Sequence, residues 1–280
     1  MPKELGALLS KAANHNILIS FTASLATISV YAIYHHPINF VLGVEVVFAT
    51  FFTYTIQRLF GLDSSVEKIP IWKITMLIIS AIIIIVLAFL LSSVQVVFLG
   101  LAGALSLLYA VPVIPCKNTR KTLREIPYLK IWVILTVWII VVCLVPLSEL
   151  NAFETGSLFA TRLVFILQQG AFVFALTIPF DIRDLKVDAK EQKTIPMILG
   201  IERSIKIAKS ALWISFFATG INFLLGFFDI EIVFTQMFVV LLGLNLIERS
   251  KKIQPMEFYL VKIDGLIALQ AVLYLLSYFI

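Results

Sequence analysis

The chain has 280 residues, of which 60% are hydrophobic and only 14% are charged, and its mean hydropathy is +1.01. A water-soluble domain of this length cannot bury so much apolar surface, so the composition excludes a soluble globular enzyme. It predicts an all-α polytopic membrane bundle, because helices satisfy their own backbone hydrogen bonds in lipid. The net charge of +5 does not indicate nucleic-acid binding, since the basic residues lie between apolar runs, where membrane orientation explains them.

Nine apolar runs are long enough to cross a bilayer, which takes about 20 helical residues. In chain order they cover residues 16–35, 38–59, 71–91, 94–112, 128–147, 158–180, 208–228, 231–248 and 259–280. Three of the connections are only a few residues long, which favours antiparallel helical hairpins. We therefore expect a single bundle of nine transmembrane helices over residues 1–280, without a separate soluble domain.

The basic residues indicate how the bundle is oriented. If the N-terminus is cytoplasmic, the inner segments contain all but one of the 22 Lys and Arg residues, and only Arg162 lies outside. The positive-inside rule therefore predicts a cytoplasmic N-terminus in the plasma membrane. The longest inner loops are predicted at residues 60–70, 113–127 and 181–207, so we expect the active face to be the cytoplasmic one.

An unusual acidic segment follows the sixth span. It places three carboxylates within eight residues, at Asp181, Asp184 and Asp188. Helical spacing puts all three on one face and Arg183 on the opposite face. Aligned carboxylate oxygens suit a hard divalent cation such as Mg²⁺. Charged runs near helix ends are also often merely solvated, so the residues alone leave a polar helix end open as an alternative.

Basic side chains accompany these acids in the neighbouring inner loops. The loop after the fourth span contains four cations, at Lys117, Arg120, Lys121 and Arg124, and Lys193 lies just past the acidic face. Carboxylate-bound Mg²⁺ beside Lys and Arg is a recurrent arrangement for binding diphosphate, because both neutralise phosphate oxygens. For any single cation, membrane orientation is a sufficient explanation. Taken together with the aligned acids, the set favours a diphosphate site.

The acidic segment resembles the second acidic motif of the UbiA-type membrane prenyltransferases. The resemblance comprises Asp181-x-x-Asp184-x-x-x-Asp188, the Lys193-Thr194-Ile195-Pro196 continuation and Gly200. Residues 108–112 (LYAVP) and 126–130 (IPYLK) are similar to the family's segment between its fourth and fifth helices, and Asp264-Gly265 is a weaker match. In span number and motif placement the resemblance covers essentially the whole chain.

The resemblance implies a function and a set of site residues. A protein of this family transfers an isoprenyl group from a polyprenyl diphosphate to an aromatic or other lipophilic acceptor within the membrane. Mg²⁺ would be the cofactor, held by the three aspartates, which are also the implied catalytic residues. The implied diphosphate-binding residues are Lys117, Arg120, Lys121, Lys193, Arg58 and Gln57.

The chain departs from the family at the first acidic motif, Asn-x-x-x-Asp-x-x-x-Asp, expected at the inner end of the second span. With Thr55 in the place of the Asn, only Asp63 remains as an acidic metal ligand. A second alignment uses relatives that contain Tyr-Asn-x-Asp-Arg in this segment. In it Thr55 replaces the Asn, Gln57 replaces the Asp, and Arg58 matches the Arg. Both registers remove anionic charge, so a catalytically silent family member that binds isoprenoid lipid or acts as a membrane scaffold is the alternative. A transporter ranks last, because Glu45 is the only acid deep in a span.

Overall fold

The computed structural model describes residues 16–61, 71–112, 114–116, 119–150, 157–185 and 192–279. Within these residues the chain forms nine apolar helices, α1 (Ile17–Ile33), α2 (Phe40–Gly61), α3 (Ile71–Ala88), α4 (Ser93–Ala110), α5 (Leu129–Glu149), α6 (Ser157–Asp184), α7 (Ile201–Leu224), α8 (Ile230–Arg249) and α9 (Phe258–Ser277). All except α1 are long and apolar enough to cross a membrane, and α1 has 17 residues. The prediction of a polytopic helical membrane bundle is confirmed.

Short elements lie between the spanning helices. Between α4 and α5 the chain forms an antiparallel hairpin of β1 (Ile114–Cys116) and β2 (Thr119–Lys121), followed by a 3-10 turn at Leu123–Glu125. A short helix at Ile195–Leu199 precedes α7, and Gly200 separates the two with φ of +77°. Glycine suits this position because residues with a Cβ rarely adopt that conformation.

Two helices extend beyond the predicted spans on the side of the acidic segment. Helix α6 continues through Pro179 to Asp184, and α7 begins at Ile201 rather than near residue 208. The apolar pattern marks only the lipid-facing length of a helix, whereas the helix itself continues into polar residues. Because α6 extends in this way, Asp181 and Asp184 belong to a helix that is anchored in the bundle.

The helices differ in how much of their surface the bundle covers. Helix α3 buries only Ser80 and, after Lys73 in its first turn, is almost entirely apolar, as expected of a helix solvated by lipid at the edge of the bundle. Helix α6 is the most deeply buried of the eight long helices and packs most extensively on α7. Helix α1 packs on both α2 and α9. Among the described residues, α5 and α6 are the most buried of the long helices, and most residues of α1 are buried as well.

A buried network of amide and hydroxyl groups connects helices α6 to α9. Gln236 on α8 accepts from the Tyr274 hydroxyl at 2.6 Å and from Gln270 Nε2 at 2.7 Å, and its own Nε2 donates to Ser215 Oγ at 2.8 Å. Gln168 Nε2 on α6 donates to the Tyr274 hydroxyl at 2.9 Å. Such bonds hold helices in register in lipid, where packing alone is not directional.

Candidate active site

A cavity of about 350 Å³ lies between α1, α2, α4, α5, α6 and α9. Charged side chains line one end of it, namely Asp181, Asp184, Arg183, Lys130 and Arg124. Most of the remaining lining side chains are apolar or aromatic, among them Tyr54, Tyr109, Val137, Trp138 and Val173. Trp138 is two turns of α5 beyond Lys130, or about 12 Å at 1.5 Å per residue. The cavity therefore has a polar mouth and an apolar interior.

Two carboxylates of α6 meet one ammonium of α5 at this mouth. Lys130 Nζ lies 3.0 Å from Asp181 Oδ1 and 3.4 Å from Asp184 Oδ2. The side chains of Lys130 and Asp181 are only 6% and 4% exposed, and that of Asp184 is 15% exposed. Asp181 and Asp184 share a face because they are three residues apart on a helix, as the spacing predicts. Charges buried this deeply are stable only when they are paired.

Helical spacing predicts that Arg183 lies on the face opposite the aspartates, and this prediction is wrong. Its guanidinium donates to Asp184 through Nε at 2.7 Å and Nη2 at 3.1 Å. The same group lies over the rings of Phe180 and Tyr259, with centroids 5.1 and 5.2 Å away. The difference arises because α6 ends at Asp184, so the long side chain is able to fold back toward the carboxylate and the aromatic faces. Arg124 completes the group, with Nη2 4.0 Å from Asp184 Oδ2.

Lys130 was not singled out by sequence reasoning, although it is the most buried cation of the mouth. The sequence contains one signal for it. The residue lies inside the predicted span 128–147, where a charged side chain is costly unless it faces a partner in the bundle. Attributing this lysine to membrane orientation alone overlooks that cost.

The predicted residues at the inner end of α2 lie in different environments. Gln57 lines the cavity, and its Nε2 donates to the Ser106 carbonyl oxygen at 2.9 Å. Thr55 is buried, and its Oγ1 accepts from Asn16 Nδ2 at 3.4 Å. Arg58 is exposed and is not among the residues that line the cavity. The two replacements in the first motif thus make hydrogen bonds to neighbouring helices and bring no charge.

The segment that follows the acidic motif returns to the start of α5. The Tyr128 backbone N–H donates to the Gln192 carbonyl oxygen at 3.0 Å, and Lys193 Nζ lies 5.7 Å from the centroid of the Tyr128 ring. Lys193 is exposed, while Lys121 on β2 is partly buried and paired with Ile114. Neither lysine lines the cavity, and their role as diphosphate ligands stays a prediction.

Several predicted site residues cannot be placed in the cavity. Asp188, Asp63 and Lys117 lie outside the described residues. Arg120 is described only by its backbone, which pairs with Pro115 in the hairpin. Their roles as metal or diphosphate ligands stay predictions.

The described residues can be tested for their fit to a divalent cation. Among them, no three His, Cys, Asp or Glu side chains come together to hold a metal. The acidic pair nevertheless suits one, because Asp181 and Asp184 converge on a single position that the Lys130 ammonium takes. Asp264 also lines this cavity, but it does not group with the two aspartates as a third ligand.

No protein-family model and no curated protein sequence matches the chain, but solved structures do. A UbiA homologue from Aeropyrum pernix K1, in its apo form, aligns with a TM-score of 0.66 and 12% identity over 93% of this chain and 97% of that one. A UbiA homologue from Archaeoglobus fulgidus bound to Cd²⁺ aligns with a TM-score of 0.61 and 14% identity over 98% of both chains. The chain has the UbiA fold.

A third structure, of digeranylgeranylglyceryl phosphate synthase, aligns with a TM-score of 0.57 and 15% identity over 96% of this chain and 97% of that one. The coverage exceeds 90% in both directions in all three alignments, so the UbiA fold accounts for the entire bundle. The protein is accordingly a multi-pass integral membrane protein of this fold.

Proposed function

We propose that the chain is an intramembrane prenyltransferase of the UbiA type, which transfers an isoprenyl group from a polyprenyl diphosphate to a lipophilic acceptor. One observation carries the proposal: the cavity joins a cluster of buried acids and bases to an apolar, aromatic interior. A polyprenyl diphosphate has the same polarity, with an anionic head and a hydrocarbon tail. The volume of about 350 Å³ falls within the range of small-molecule sites, about 300–1,000 Å³.

The charged mouth would hold the diphosphate. Lys130, Arg183 and Arg124 line the cavity and would donate hydrogen bonds to the phosphate oxygens. Asp181 and Asp184 would hold Mg²⁺, with Asp188 as a proposed third ligand, and Mg²⁺ supplies Lewis-acid neutralisation of the leaving group. Outside the described side chains, Lys117 and Arg120 remain proposed contributors at the same mouth.

The interior of the cavity would hold the isoprenyl tail and the reacting carbon. In the reaction, the bond between the allylic carbon and the diphosphate oxygen breaks, and its electron pair leaves with the diphosphate. The aromatic side chains of Tyr54, Tyr109 and Trp138 line the cavity. Their faces attract positive charge and would stabilise the electron-poor carbon until the acceptor bonds to it. The apolar lining would also exclude water, which competes with the acceptor.

The acceptor loses a proton when the new bond forms. Asp264, near the start of α9, lines the cavity together with Tyr54 and Arg183. Among the described residues, Asp264 takes no part in the ion pairs described above for Asp181 and Asp184, and it shares the cavity lining with Tyr54. We assign Asp264 the role of general base, which accepts the acceptor's proton.

Turnover of a labelled substrate tests the proposed function. Membranes that contain the protein are incubated with radiolabelled farnesyl or geranylgeranyl diphosphate and with a lipid extract that supplies acceptors. Both the prenylated product and the released diphosphate are then measured. We expect Mg²⁺-dependent product that Asp184→Asn abolishes. Asp229→Asn is the control, because this exposed carboxylate pairs with His35 away from the cavity. Absence of both product and diphosphate release in the unaltered protein would contradict the proposal.

A catalytically silent protein that binds isoprenoid lipid is the second candidate. It is favoured by the uncharged replacements at the first motif, since Gln57 and Thr55 make bonds within the bundle. Gln57→Asp restores a carboxylate to the lining of the cavity. Prenyl transfer by the Gln57→Asp variant but not by the unaltered chain would support the hypothesis of a catalytically silent protein. Prenyl transfer by the unaltered chain would exclude that hypothesis.

A further inference from the structure

The ammonium of Lys130 takes the position at which the two carboxylates of α6 converge. Its Nζ lies 3.0 Å from Asp181 Oδ1 and 3.4 Å from Asp184 Oδ2. A divalent cation held by both carboxylates needs this same position. The ammonium and the cation therefore compete for the two aspartates.

The charges around the acidic pair make this competition strong. Lys130, Arg183 and Arg124 place three positive groups within 4.0 Å of the two carboxylates. A divalent cation that entered alone would face an ammonium at short range, in a buried site where screening by salt is weak. A bound diphosphate favours the divalent cation in this competition, because its negative charges and hydrogen-bond acceptors give the ammonium another partner.

Lys130 is the cation best suited to move. Arg183 is held by two hydrogen bonds to Asp184 and by the faces of Phe180 and Tyr259. A lysine ammonium is instead a compact charge on a flexible four-carbon stem. Rotation of that stem can transfer the ammonium from the aspartates to a neighbouring phosphate oxygen without a change in the backbone.

We propose that Lys130 is an exchangeable counter-ion: it neutralises Asp181 and Asp184 until diphosphate and metal bind together, and then pairs with the diphosphate. This inference rests on the proposed function, since it takes a polyprenyl diphosphate as the ligand of the cavity. In this arrangement the buried acids always have a partner, whether ammonium or metal. Metal and diphosphate consequently bind cooperatively, and the protein holds a divalent cation weakly in the absence of diphosphate.

The test compares the purified full-length protein with Lys130→Met in two binding measurements. Mn²⁺ binding without diphosphate is followed by electron paramagnetic resonance of the free ion. Binding of radiolabelled inorganic diphosphate at fixed Mg²⁺ is followed by equilibrium dialysis. We expect Lys130→Met to bind Mn²⁺ about 5- to 150-fold more tightly, the range typical of coupled sites, and to bind diphosphate more weakly. The two changes have opposite signs.

Controls separate this role from a structural ion pair. Lys252→Met removes an exposed cation from the loop between α8 and α9 and should leave both affinities unchanged. Unchanged or weaker Mn²⁺ binding in Lys130→Met would overturn the proposal, since loss of a structural pair weakens both ligands. Lys130→Gln, which keeps a donor without the charge, serves if the methionine variant does not fold. Failure of the proposed function is recognised separately, by the absence of product and diphosphate release in the unaltered protein.

Discussion

The chemistry of the mouth depends on charged side chains that are costly to bury. Lys130 and Asp181 are almost fully buried, so the removal of either one weakens the compensation of the other's charge. Arg183 has a different role, since its contacts with Asp184 and two aromatic rings hold that carboxylate in one orientation. The cluster therefore behaves as a unit, and its residues will not contribute independently to binding.

Asp264 provides the sharpest prediction for a single residue outside this cluster. Asp264→Asn keeps the size of the side chain but removes the proposed proton acceptor. We expect kcat to fall by about 10²–10⁴-fold, the usual contribution of a general base, whereas the affinity for polyprenyl diphosphate stays nearly unchanged. Steady-state kinetics and equilibrium binding measure the two quantities. Glu202→Gln, at an exposed ion pair with Lys251, is the control, and an equal loss of kcat in both variants would refute the assignment.

Part of the site could be predicted from the sequence, because part of it depends on local geometry. Asp181 and Asp184 share a face through their spacing in one helix. The positions of Lys130 and Asp264 instead depend on how α5 and α9 pack against α6, which is not encoded in any short window. The side-chain direction of Arg183 was predicted wrongly for the same reason, since its partners Phe180 and Tyr259 lie at the junction of α6 and α9.

At the scale of helices, length and apolarity were sufficient to locate the spans. Each predicted run overlaps one of the helices α1 to α9, and eight of these are long and apolar enough to cross a membrane, whereas α1 is shorter. The polar extensions of α6 and α7 escaped this criterion, since it detects contact with lipid and not helical conformation. The two aspartates of the candidate site lie in the extension of α6, so hydropathy alone describes the bundle better than its charged end.

The buried network across α6 to α9 predicts the effect of a substitution on stability. Gln236→Leu removes three hydrogen bonds and leaves the Tyr274 hydroxyl and Gln270 amide without that partner. We expect a loss of about 1–3 kcal/mol in the free energy of unfolding, because single interhelical bonds in membrane proteins contribute about 0.6–1.7 kcal/mol. Thermal or denaturant unfolding in detergent measures it. Phe238→Leu, on the exposed face of the same helix, should cost much less, and equal losses would contradict the role of the network.

At the scale of the whole molecule, the distribution of basic residues predicts the orientation. The loop between α1 and α2 should face outward and the loop between α8 and α9 should face the cytoplasm. Single cysteines are introduced into a variant without Cys116 and Cys143. A membrane-impermeant maleimide should then label His35→Cys in intact cells, but Lys252→Cys only after the cells are permeabilised. Both native residues are exposed. The reverse labelling pattern would place the charged mouth on the outer face.

The UbiA fold is shared with chains only 12–15% identical to this one, so much of the sequence can change while the bundle persists. The fold positions helices and a cavity, whereas the proposed chemistry depends on the few charged residues at its mouth. Replacement of the first acidic motif by uncharged residues is therefore compatible with the fold.

Equilibrium binding of a labelled polyprenyl diphosphate to the purified protein tests the central claim most directly. We expect saturable, Mg²⁺-dependent binding of geranylgeranyl diphosphate. Inorganic diphosphate and geranylgeraniol should each compete more weakly than unlabelled geranylgeranyl diphosphate. Asp184→Asn should weaken this binding about tenfold or more, because a charge-assisted contact contributes about 1.5–3 kcal/mol. No saturable binding, or an affinity that Asp184→Asn leaves unchanged, would contradict the account.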